Sequence, residues 1–531
     1  MCNIAFLIQI LICDILVYKE TIKGDPMALI RKKGKPRILV VTPEITYLPA
    51  GMGNLAHRAN AKAGGLADVS ASLVATLFKE GADVHVALPH YRRMFHMDVG
   101  QLISDELRVY QSHLPDARVH LAEDRCFYYR DRVYSSSDEE NPRLALAFQR
   151  EVINNIIPTV NPDLIHCNDW MTGLIPAAAR RLGIPALFTV HNIHTHDLTL
   201  AQIEDRGIDA AEFWPHLYYK RPPMNYEETR ENNLVDSLAS GIFAAHFINT
   251  VSPTFLDEIV RGEHAFVPAA IRAEMTGKKL SGCAAGILNA PDPSYDPEID
   301  KALEMKFNAD TSFEGKAVNK KAFQRKVGLN EDIDAPLFLW PSRLDPIQKG
   351  CELLTNVLAA MMAKYPNMQV AVVANGPHAT HFHDILHWHN LYGRLAICDF
   401  QESLSRLGYA ASDFLFMPSR FEPCGLPQMI GPIYGSLPVA HDTGGIHDTV
   451  THMDVSKDAG NGFIFKYYDN AGLIWAIDEA MAFYSLPREI RAEHVKRVMR
   501  DGKARFNHSV CAQSYIDIYQ KMLKRDLVTS Y

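Results

Sequence analysis

Short, continuously apolar segments alternate with amphipathic helical patterns along most of the chain. Such segments are typical of strands that are buried on both faces of a parallel sheet and connected by helices. The pattern predicts an α/β protein with two doubly wound, Rossmann-like domains. The predicted strands cover residues 37–42, 83–88, 164–166, 186–190, 247–251, 337–340, 369–373, 395–398, 414–417 and 437–440.

A change in composition separates the two halves. Residues 289–336 are rich in lysine, aspartate and proline and contain no strand-like segment, although residues 316–326 have a helical pattern. We therefore expect a linker over 289–336, between an N-terminal domain over 34–288 and a C-terminal domain over 337–510. Facing doubly wound domains bind ligands at the carboxyl ends of their strands, so the cleft between them is the predicted site.

The start of the chain needs a separate interpretation. Residues 4–18 are apolar but short for a bilayer span, contain Asp14 and follow no basic residue of the kind that precedes a secretory signal. We interpret residues 1–33 as an extension outside the fold, with the functional start near Met27. A membrane anchor and a targeting segment are the alternatives.

The length, net charge and cysteine content of the chain argue against several classes of protein. A chain of 531 residues is too long for one hydrophobic core. Its formal net charge of −8 argues against nucleic-acid and membrane-surface partners, which require a basic face. The nine cysteines form no CxxC pair, which is typical of reduced thiols in a cytoplasmic protein.

Three motifs of the N-terminal half could contribute to a ligand-binding site. In Lys62-Ala-Gly-Gly-Leu-Ala-Asp68, two glycines open a helix, so bare backbone N–H groups and Lys62 could meet an anion. The alternative is a plain tight turn with a surface lysine. Asp169-Trp170 and His191-Asn192 each follow a predicted strand; the carboxylate could bind sugar hydroxyls while the indole stacks on the ring. Alternatively, Asp169 caps the next helix and His191 is structural.

Two loops of the C-terminal half carry further charge. Arg343 and Lys349 lie on one loop after a strand, where both could converge on a diphosphate; a solvated basic loop is the alternative. In Pro418-Ser-Arg-Phe-Glu-Pro-Cys-Gly425, Glu422 follows an apolar strand and precedes a glycine that opens a helix. This turn offers a carboxylate for hydroxyls and N–H groups for phosphate.

Taken in order, these motifs resemble those of the bacterial glycogen synthase and plant starch synthase family. The resemblance implies the GT-B fold, in which two Rossmann-like domains face a central cleft. It also implies that residues 511–531 form a helix returning to the N-terminal domain. The matching motifs are Lys62-x-Gly-Gly-Leu-Ala-Asp68, Asp169-Trp170, Thr189-Val-His191-Asn192, Ser342-Arg343-Leu344, Gln348-Lys349-Gly350, Arg420-Phe-Glu-Pro-Cys-Gly-Leu426 and Thr443-Gly-Gly445.

The resemblance implies a role for each motif. Glu422 is the residue usually counted as catalytic, and His191 and Asp169 would lie at the transferred glucose. Arg343 and Lys349 would hold the diphosphate and stabilise the departing nucleotide. The substrate-binding set would comprise Lys62, Gly64, Gly65, Asp68, Asn192, Cys424, Gly425, Leu426, Thr443 and Gly444.

The implied reaction is transfer of glucose from ADP-glucose, with retention, to the non-reducing 4-hydroxyl of glycogen or another α-1,4-glucan. UDP-glucose is the alternative donor, and neither a metal nor another cofactor is expected. The alternative functions are another retaining GT-B enzyme that makes a disaccharide and an inactive glucan-binding homologue. Two departures from the family pattern bear on the nucleotide: the loop from Arg343 to Lys349 is one residue longer, and Pro427 removes a backbone donor.

Overall fold

A computed structural model of the chain describes residues 34–53, 56, 58–96, 118–137 and 139–527. The extension predicted over residues 1–33 lies outside the described residues. Within the described ranges, no helix is long and apolar enough to cross a bilayer.

The N-terminal domain is built on a doubly wound parallel sheet covered by helices. Its strands are β1 (Arg37–Val41), β2 (Asp83–Pro89), β3 (Val119–Ala122), β4 (Leu164–Asn168), β5 (Ala186–Val190), β6 (Asp197–Leu198), β7 (Val235–Asp236), β8 (Phe247–Thr250) and β9 (Ala284–Gly286). The sheet order is β3-β2-β1-β4-β5-β8-β9, and β6 and β7 form a separate antiparallel pair. Its helices are α1 (Gly65–Lys79), α2 (Arg125–Tyr128), α3 (Glu140–Glu151), α4 (Ile157–Val160), α5 (Ile175–Arg181), α6 (Leu200–Glu204), α7 (Tyr226–Asn232), α8 (Ser237–Ala244), α9 (Pro253–Arg261) and α10 (Ala269–Leu280).

The C-terminal domain repeats this architecture. Its strands are β10 (Leu337–Trp340), β11 (Gln369–Val373), β12 (Leu395–Cys398), β13 (Phe414–Met417), β14 (Leu437–His441) and β15 (Phe463–Phe465), in the sheet order β12-β11-β10-β13-β14-β15. The remaining helices are α11 (Ser312–Val327), α12 (Cys351–Lys364), α13 (Ala379–Trp388), α14 (Glu402–Ala411), α15 (Pro427–Ile433), α16 (Gly444–Thr449), α17 (Asn470–Tyr484), α18 (Arg488–Arg505) and α19 (His508–Leu523). The two parallel sheets confirm the predicted fold class.

Residues 289–336, expected to form a linker, pack largely into the C-terminal domain. α11 lies against α14, and Phe307 and Phe323 are buried in one cluster with Leu337. The buried Lys316 ammonium donates to three backbone carbonyls of this domain, and burial lowers its pKa to about 7. The C-terminal unit therefore starts well before β10.

The last helix, α19, crosses back to the N-terminal domain. Tyr515 and Tyr519 are fully buried in the N-terminal core. The Asn249 side-chain amide donates to the Tyr515 hydroxyl at 3.1 Å, and the Tyr519 hydroxyl lies 2.7 Å from His166 Nδ1. The helix thus ties the end of the chain to β4 and β8, because His166 and Asn249 lie on those strands.

Candidate active site

The order of strands reverses at one point in each of the two parallel sheets. In the N-terminal sheet, β1 pairs with both β2 and β4; in the C-terminal sheet, β10 pairs with both β11 and β13. Doubly wound proteins bind ligands at the carboxyl ends of strands beside such a point. The loops after β1, β4, β10 and β13, together with the first turn of α1, carry residues 62–68, 169–170, 343–349 and 418–426. The topology therefore gathers most of the predicted site residues.

The loop between β1 and α1 is fixed by a buried carboxylate that the sequence analysis did not select. Glu44 accepts hydrogen bonds from the backbone N–H groups of Ala63 (2.5 Å) and Gly64 (2.9 Å). Burial raises the pKa of Glu44, with partial opposition from these bonds. Gly64 faces open space, since a Cβ added there would contact nothing. The loop is therefore preformed, with an accessible outer face.

Lys62 and Asp68 form an ion pair beside this loop. Lys62 Nζ lies 2.8 Å from Asp68 Oδ2, and the lysine side chain is 42% exposed. Burial acts to lower the pKa of Lys62, but the Asp68 carboxylate outweighs it and the pKa is raised. Burial also raises the pKa of Asp68, against the opposing effect of Lys62. The ion pair therefore favours the charged form of Lys62, whereas burial leaves Asp68 easier to protonate than an exposed aspartate.

Asp169 and His191 lie at the ends of the neighbouring strands β4 and β5 and are directly connected. Asp169 Oδ1 accepts from the backbone N–H of His191 at 3.0 Å, and Oδ2 accepts from the Asn192 side-chain amide at 2.9 Å. His191 Nε2 lies 3.0 Å from Asn168 Oδ1. Asp169 has a φ of 62°, a costly conformation that is frequent at functional sites. Its carboxylate does not cap the following helix.

Burial sets the protonation of both groups. It raises the pKa of the Asp169 carboxyl to about 7, despite backbone hydrogen bonds from His191 and Asn192 that lower it. It lowers the pKa of His191 to about 3. The imidazole is therefore neutral at pH 7 and can hydrogen-bond a hydroxyl without carrying charge. Such perturbed groups in a cleft are typical of functional sites.

Trp170 does not form the sugar-stacking platform that its position beside Asp169 suggested. Its side chain is buried in the N-terminal core, where its ring packs against His196 with the centroids 4.5 Å apart. The chain enters a short 3-10 helix, Trp170–Thr172, immediately after Asp169. The expectation of stacking on this indole is wrong, because the ring is already covered by protein.

Lys349 and Glu422 form a buried ion pair in the C-terminal domain. Lys349 Nζ lies 2.6 Å from Glu422 Oε2, with the two side chains only 12% and 5% exposed. The Ser419 hydroxyl donates to the same oxygen at 3.0 Å. The two loops are closely packed: Gly350 has a φ of 74°, and a Cβ added there would lie 1.9 Å from the Pro418 carbonyl oxygen. The predicted Lys349 and Glu422 are thus brought together by a rigid backbone.

Arg343 is placed differently from Lys349. Its side chain is exposed, and it has no hydrogen-bond or ion-pair partner in the described part of the chain. It shares the loop after β10 with Lys349 but does not join the pair with Glu422. An exposed guanidinium of this kind can meet a phosphate through two parallel hydrogen bonds.

The turn after Glu422 meets the N-terminal domain. Gly425 has a φ of 74°, which favours glycine, and Leu426 faces Gly65, whose added Cβ would lie 3.4 Å from Leu426 Cδ1. Cys424 is buried in an apolar cluster formed by both domains. Pro427 occupies the first position of α15, where the missing N–H would have no helical partner in any case. The backbone at Gly425 could therefore be approached closely by a ligand, whereas the Cys424 thiol is covered by apolar side chains.

Thr443 and Gly444 face the N-terminal domain. Glu258 on α9 accepts from the Thr443 hydroxyl at 3.1 Å and from the Gly444 backbone N–H at 2.8 Å. These two predicted substrate-binding residues therefore already have a carboxylate partner in the structure.

Sequence analysis missed Glu44, Ser419 and Glu258, and it gave no role to Asn168, which ends the same strand that positions Asp169. Glu44 and Ser419 closely follow strands beside the switch points, so the rule that selected Asp169 could have selected them. Glu258 had no such signal, because it lies inside an ordinary amphipathic helix and finds its partners in the other domain.

Two packed doubly wound domains, with charged and polar groups at the ends of their strands, have the architecture of the GT-B class of glycosyltransferases. Solved structures agree. The catalytic domain of starch synthase IV from Arabidopsis thaliana, bound to ADP and acarbose, matches with a TM-score of 0.74 and 25% identity, covering 93% of this chain and 100% of that one. Sucrose-phosphate synthase from Thermosynechococcus elongatus shares the fold, with a TM-score of 0.55, 17% identity and coverage of 92% and 100%.

Sequence comparisons are more specific. Residues 37–271 match the family model of the starch synthase catalytic domain, and residues 335–482 match that of glycosyl transferases group 1. The glycogen synthase of Syntrophotalea carbinolica is 31% identical over 494 residues, covering 87% of this chain and 96% of the relative. That of Moorella thermoacetica is 30% identical over 521 residues, with coverage of 92% and 97%. The chain belongs to the glycogen and starch synthase family.

Proposed function

We propose that this glucan synthase uses ADP-glucose and transfers its glucose, with retention, to the non-reducing 4-hydroxyl of an α-1,4-glucan. The observation that carries the proposal is the buried pair of Lys349 and Glu422, which sets a cation and a carboxylate side by side on the loops after β10 and β13. The related starch synthase IV structure, bound to ADP and acarbose, supports an adenine nucleotide and a glucan-like ligand.

The cations would act on the leaving group. Negative charge grows on the departing phosphate as the glycosidic bond breaks, and fixed donors aimed at that charge stabilise the transition state. Lys349 is held in place by Glu422, so little reorganisation is needed at the moment of reaction. Arg343 and Lys62 would add contacts to the diphosphate from the two domains. No metal is required by this scheme.

The carboxylates would hold the sugar. Glu422 would accept glucose hydroxyls, and neutral His191 would hydrogen-bond near the anomeric carbon, where Asp169 fixes its backbone. We favour attack by the acceptor hydroxyl on the same face, with a leaving phosphate oxygen as the base. This scheme needs no covalent intermediate on Glu422, whose Oε2 accepts hydrogen bonds from Lys349 and Ser419.

Nucleotide release with glycogen as the acceptor tests the donor and the acceptor together. We expect higher kcat/KM with ADP-glucose than with UDP-glucose, and faster release with glycogen than with monosaccharide acceptors. Equal or faster turnover with UDP-glucose would contradict the donor assignment. Preference for a small acceptor would favour the disaccharide-forming alternative, and no release with either donor would favour the inactive one. Proton NMR of the initial product distinguishes retention from inversion at the anomeric carbon.

A further inference from the structure

Helices α9 and α16 each place a carboxylate side chain at the start of the other helix, across the domain interface. α9 belongs to the N-terminal domain and α16 to the C-terminal domain, and the two helices pack against each other. Asp448 on α16 reaches the start of α9. Its Oδ2 accepts from the Ser252 hydroxyl at 2.5 Å and the Thr254 backbone N–H at 3.2 Å, and its Oδ1 accepts from the Thr254 hydroxyl at 2.6 Å.

Glu258 makes the reciprocal contact. This residue of α9 reaches the start of α16, where Thr443 and Gly444 donate to its Oε1. Its second oxygen, Oε2, lies 2.9 Å from His264 Nε2, so both carboxylate oxygens are engaged. Carboxylates are favoured at helix N-termini, where unpaired N–H groups and the helix dipole attract negative charge. Each domain therefore supplies the counter-charge for a helix of the other.

The start of α16 is also packed against the segment that carries Glu422. The Gly445 N–H donates to the Glu422 carbonyl at 2.9 Å. A Cβ added to Gly444 would lie 2.0 Å from the same carbonyl oxygen, and one added to Gly445 would lie 2.0 Å from the Cys424 carbonyl oxygen. The two backbones touch without an intervening side chain. Contacts that fix the start of α16 therefore also fix the backbone of Glu422.

A second contact from the same part of the N-terminal domain supports this chain of connections. Phe266, two residues beyond His264, packs on the ring of Phe421 with the centroids 4.2 Å apart. Phe421 directly precedes Glu422. Glu258 thus reaches Glu422 by two routes, through Gly444 and Gly445 on one side and through His264 and its neighbour on the other.

We infer that Glu258 and Asp448 are positioning residues, which latch the two domains together and hold the Glu422 segment against the N-terminal domain. The expected effect of Glu258 and Asp448 on turnover rests on the proposed role of Glu422. Their expected effect on the arrangement of the two domains does not depend on that role. Neither carboxylate is assigned to substrate.

The test compares Glu258→Ala, Glu258→Gln and Asp448→Asn with the wild type in the full chain. Hydrogen bonds to a charged group are strong enough that losing this set should reduce kcat on the order of 10- to 100-fold. We expect a larger radius of gyration for ligand-free Glu258→Ala in small-angle X-ray scattering, because the domains separate more often. Glu258→Gln keeps an acceptor oxygen for Gly444 but loses the charge and the second oxygen, which faces His264, so it should fall between wild type and Glu258→Ala in both measurements.

The matched control is Glu263→Gln. Glu263 is an exposed carboxylate just beyond α9 that pairs with Arg261 of the same domain, so kcat and scattering should stay at wild-type values. The inference is overturned if Glu258→Ala keeps kcat within twofold of wild type, or if kcat falls while the scattering curve does not change. A lower melting temperature with neither effect would show a purely structural role and would also overturn it. If the wild type transfers no glucose, the proposed function fails, and the scattering comparison alone decides whether the latch exists.

Discussion

Replacing Lys349 by alanine separates leaving-group stabilisation from simple substrate binding. Lys349 lies 2.6 Å from Glu422, and the turn at Gly350 fixes its backbone, so the ammonium is held before substrate arrives. A donor fixed in this way helps the charge that develops in the transition state more than the charge already present in the ground state. We therefore expect Lys349→Ala to lower kcat strongly and to change KM for the sugar nucleotide much less.

The magnitude follows from the type of interaction. Removing one fixed donor to a developing anion typically costs on the order of 10² to 10³ in kcat. Lys349→Ala also leaves the Glu422 carboxylate buried, with Ser419 as its remaining side-chain donor. Breaking a buried pair in this way costs about 3 to 5 kcal/mol of stability when both groups are fully enclosed. We expect somewhat less here, because the Lys349 side chain is 12% exposed.

The assay is steady-state nucleotide release with glycogen, with thermal unfolding of the same variants in parallel. Lys349→Arg should recover only part of kcat, because a planar guanidinium does not replace a compact ammonium. The matched control is Lys364→Ala, which breaks an exposed pair with Asp478 at the far end of α12 and should leave kcat unchanged. If Lys349→Ala raises only KM and keeps kcat, Lys349 binds substrate uniformly. The assignment of leaving-group stabilisation would then be wrong.

Three further predictions concern the backbone, the protonation of the site and metals. Gly350→Ala should lower the melting temperature and activity far more than Gly328→Ala, because both glycines have φ above 70° but only Gly350 is packed against a carbonyl; equal losses would show that strain in φ alone is responsible. Burial raises the pKa of Asp169 to about 7 from its ordinary 3.8, so between these pH values the folded chain keeps a proton that the unfolded chain releases. The free energy of unfolding should therefore decrease as the pH rises from about 4 to about 7. Denaturant titration at each pH should show a larger decrease in wild type than in Asp169→Asn. Parallel curves for the two proteins would contradict the shifted pKa. Excess chelator should leave glucosyl transfer unchanged, because in the proposed scheme Lys349 and Arg343 would take the part of a metal; inhibition that magnesium reverses would refute this.

Much of the fold could be predicted because its strands are buried on both faces. Each predicted strand is present, with its ends displaced by at most two residues. The sheet strands that were missed are short and lie at sheet edges. β3, β9 and β15 span only three or four residues and have partly exposed residues, so none has the long apolar segment that marks a central strand.

The site could be predicted only where chemistry follows local sequence. Lys349 and Glu422 were selected because each follows a strand, although they are 73 positions apart. Their contact could not be predicted, since it depends on the packing of Gly350 against Pro418. Trp170 shows the opposite failure, because the sequence placed an aromatic beside a carboxylate but the backbone after Asp169 directs the indole into the core.

The charges of the cleft are largely compensated within the protein. Lys349 is paired with Glu422, Lys62 is paired with Asp68, and Arg343 alone of these three cations has no partner in the described part of the chain. A diphosphate that enters would meet the exposed guanidinium of Arg343 and the Lys349 ammonium, which has three N–H donors and uses one of them for Glu422. Lys349 could therefore bind phosphate while it stays paired with Glu422. Glucose hydroxyls would donate to the same carboxylate, so the intact donor should engage this ion pair at both of its groups, and a nucleotide without glucose should engage it less completely.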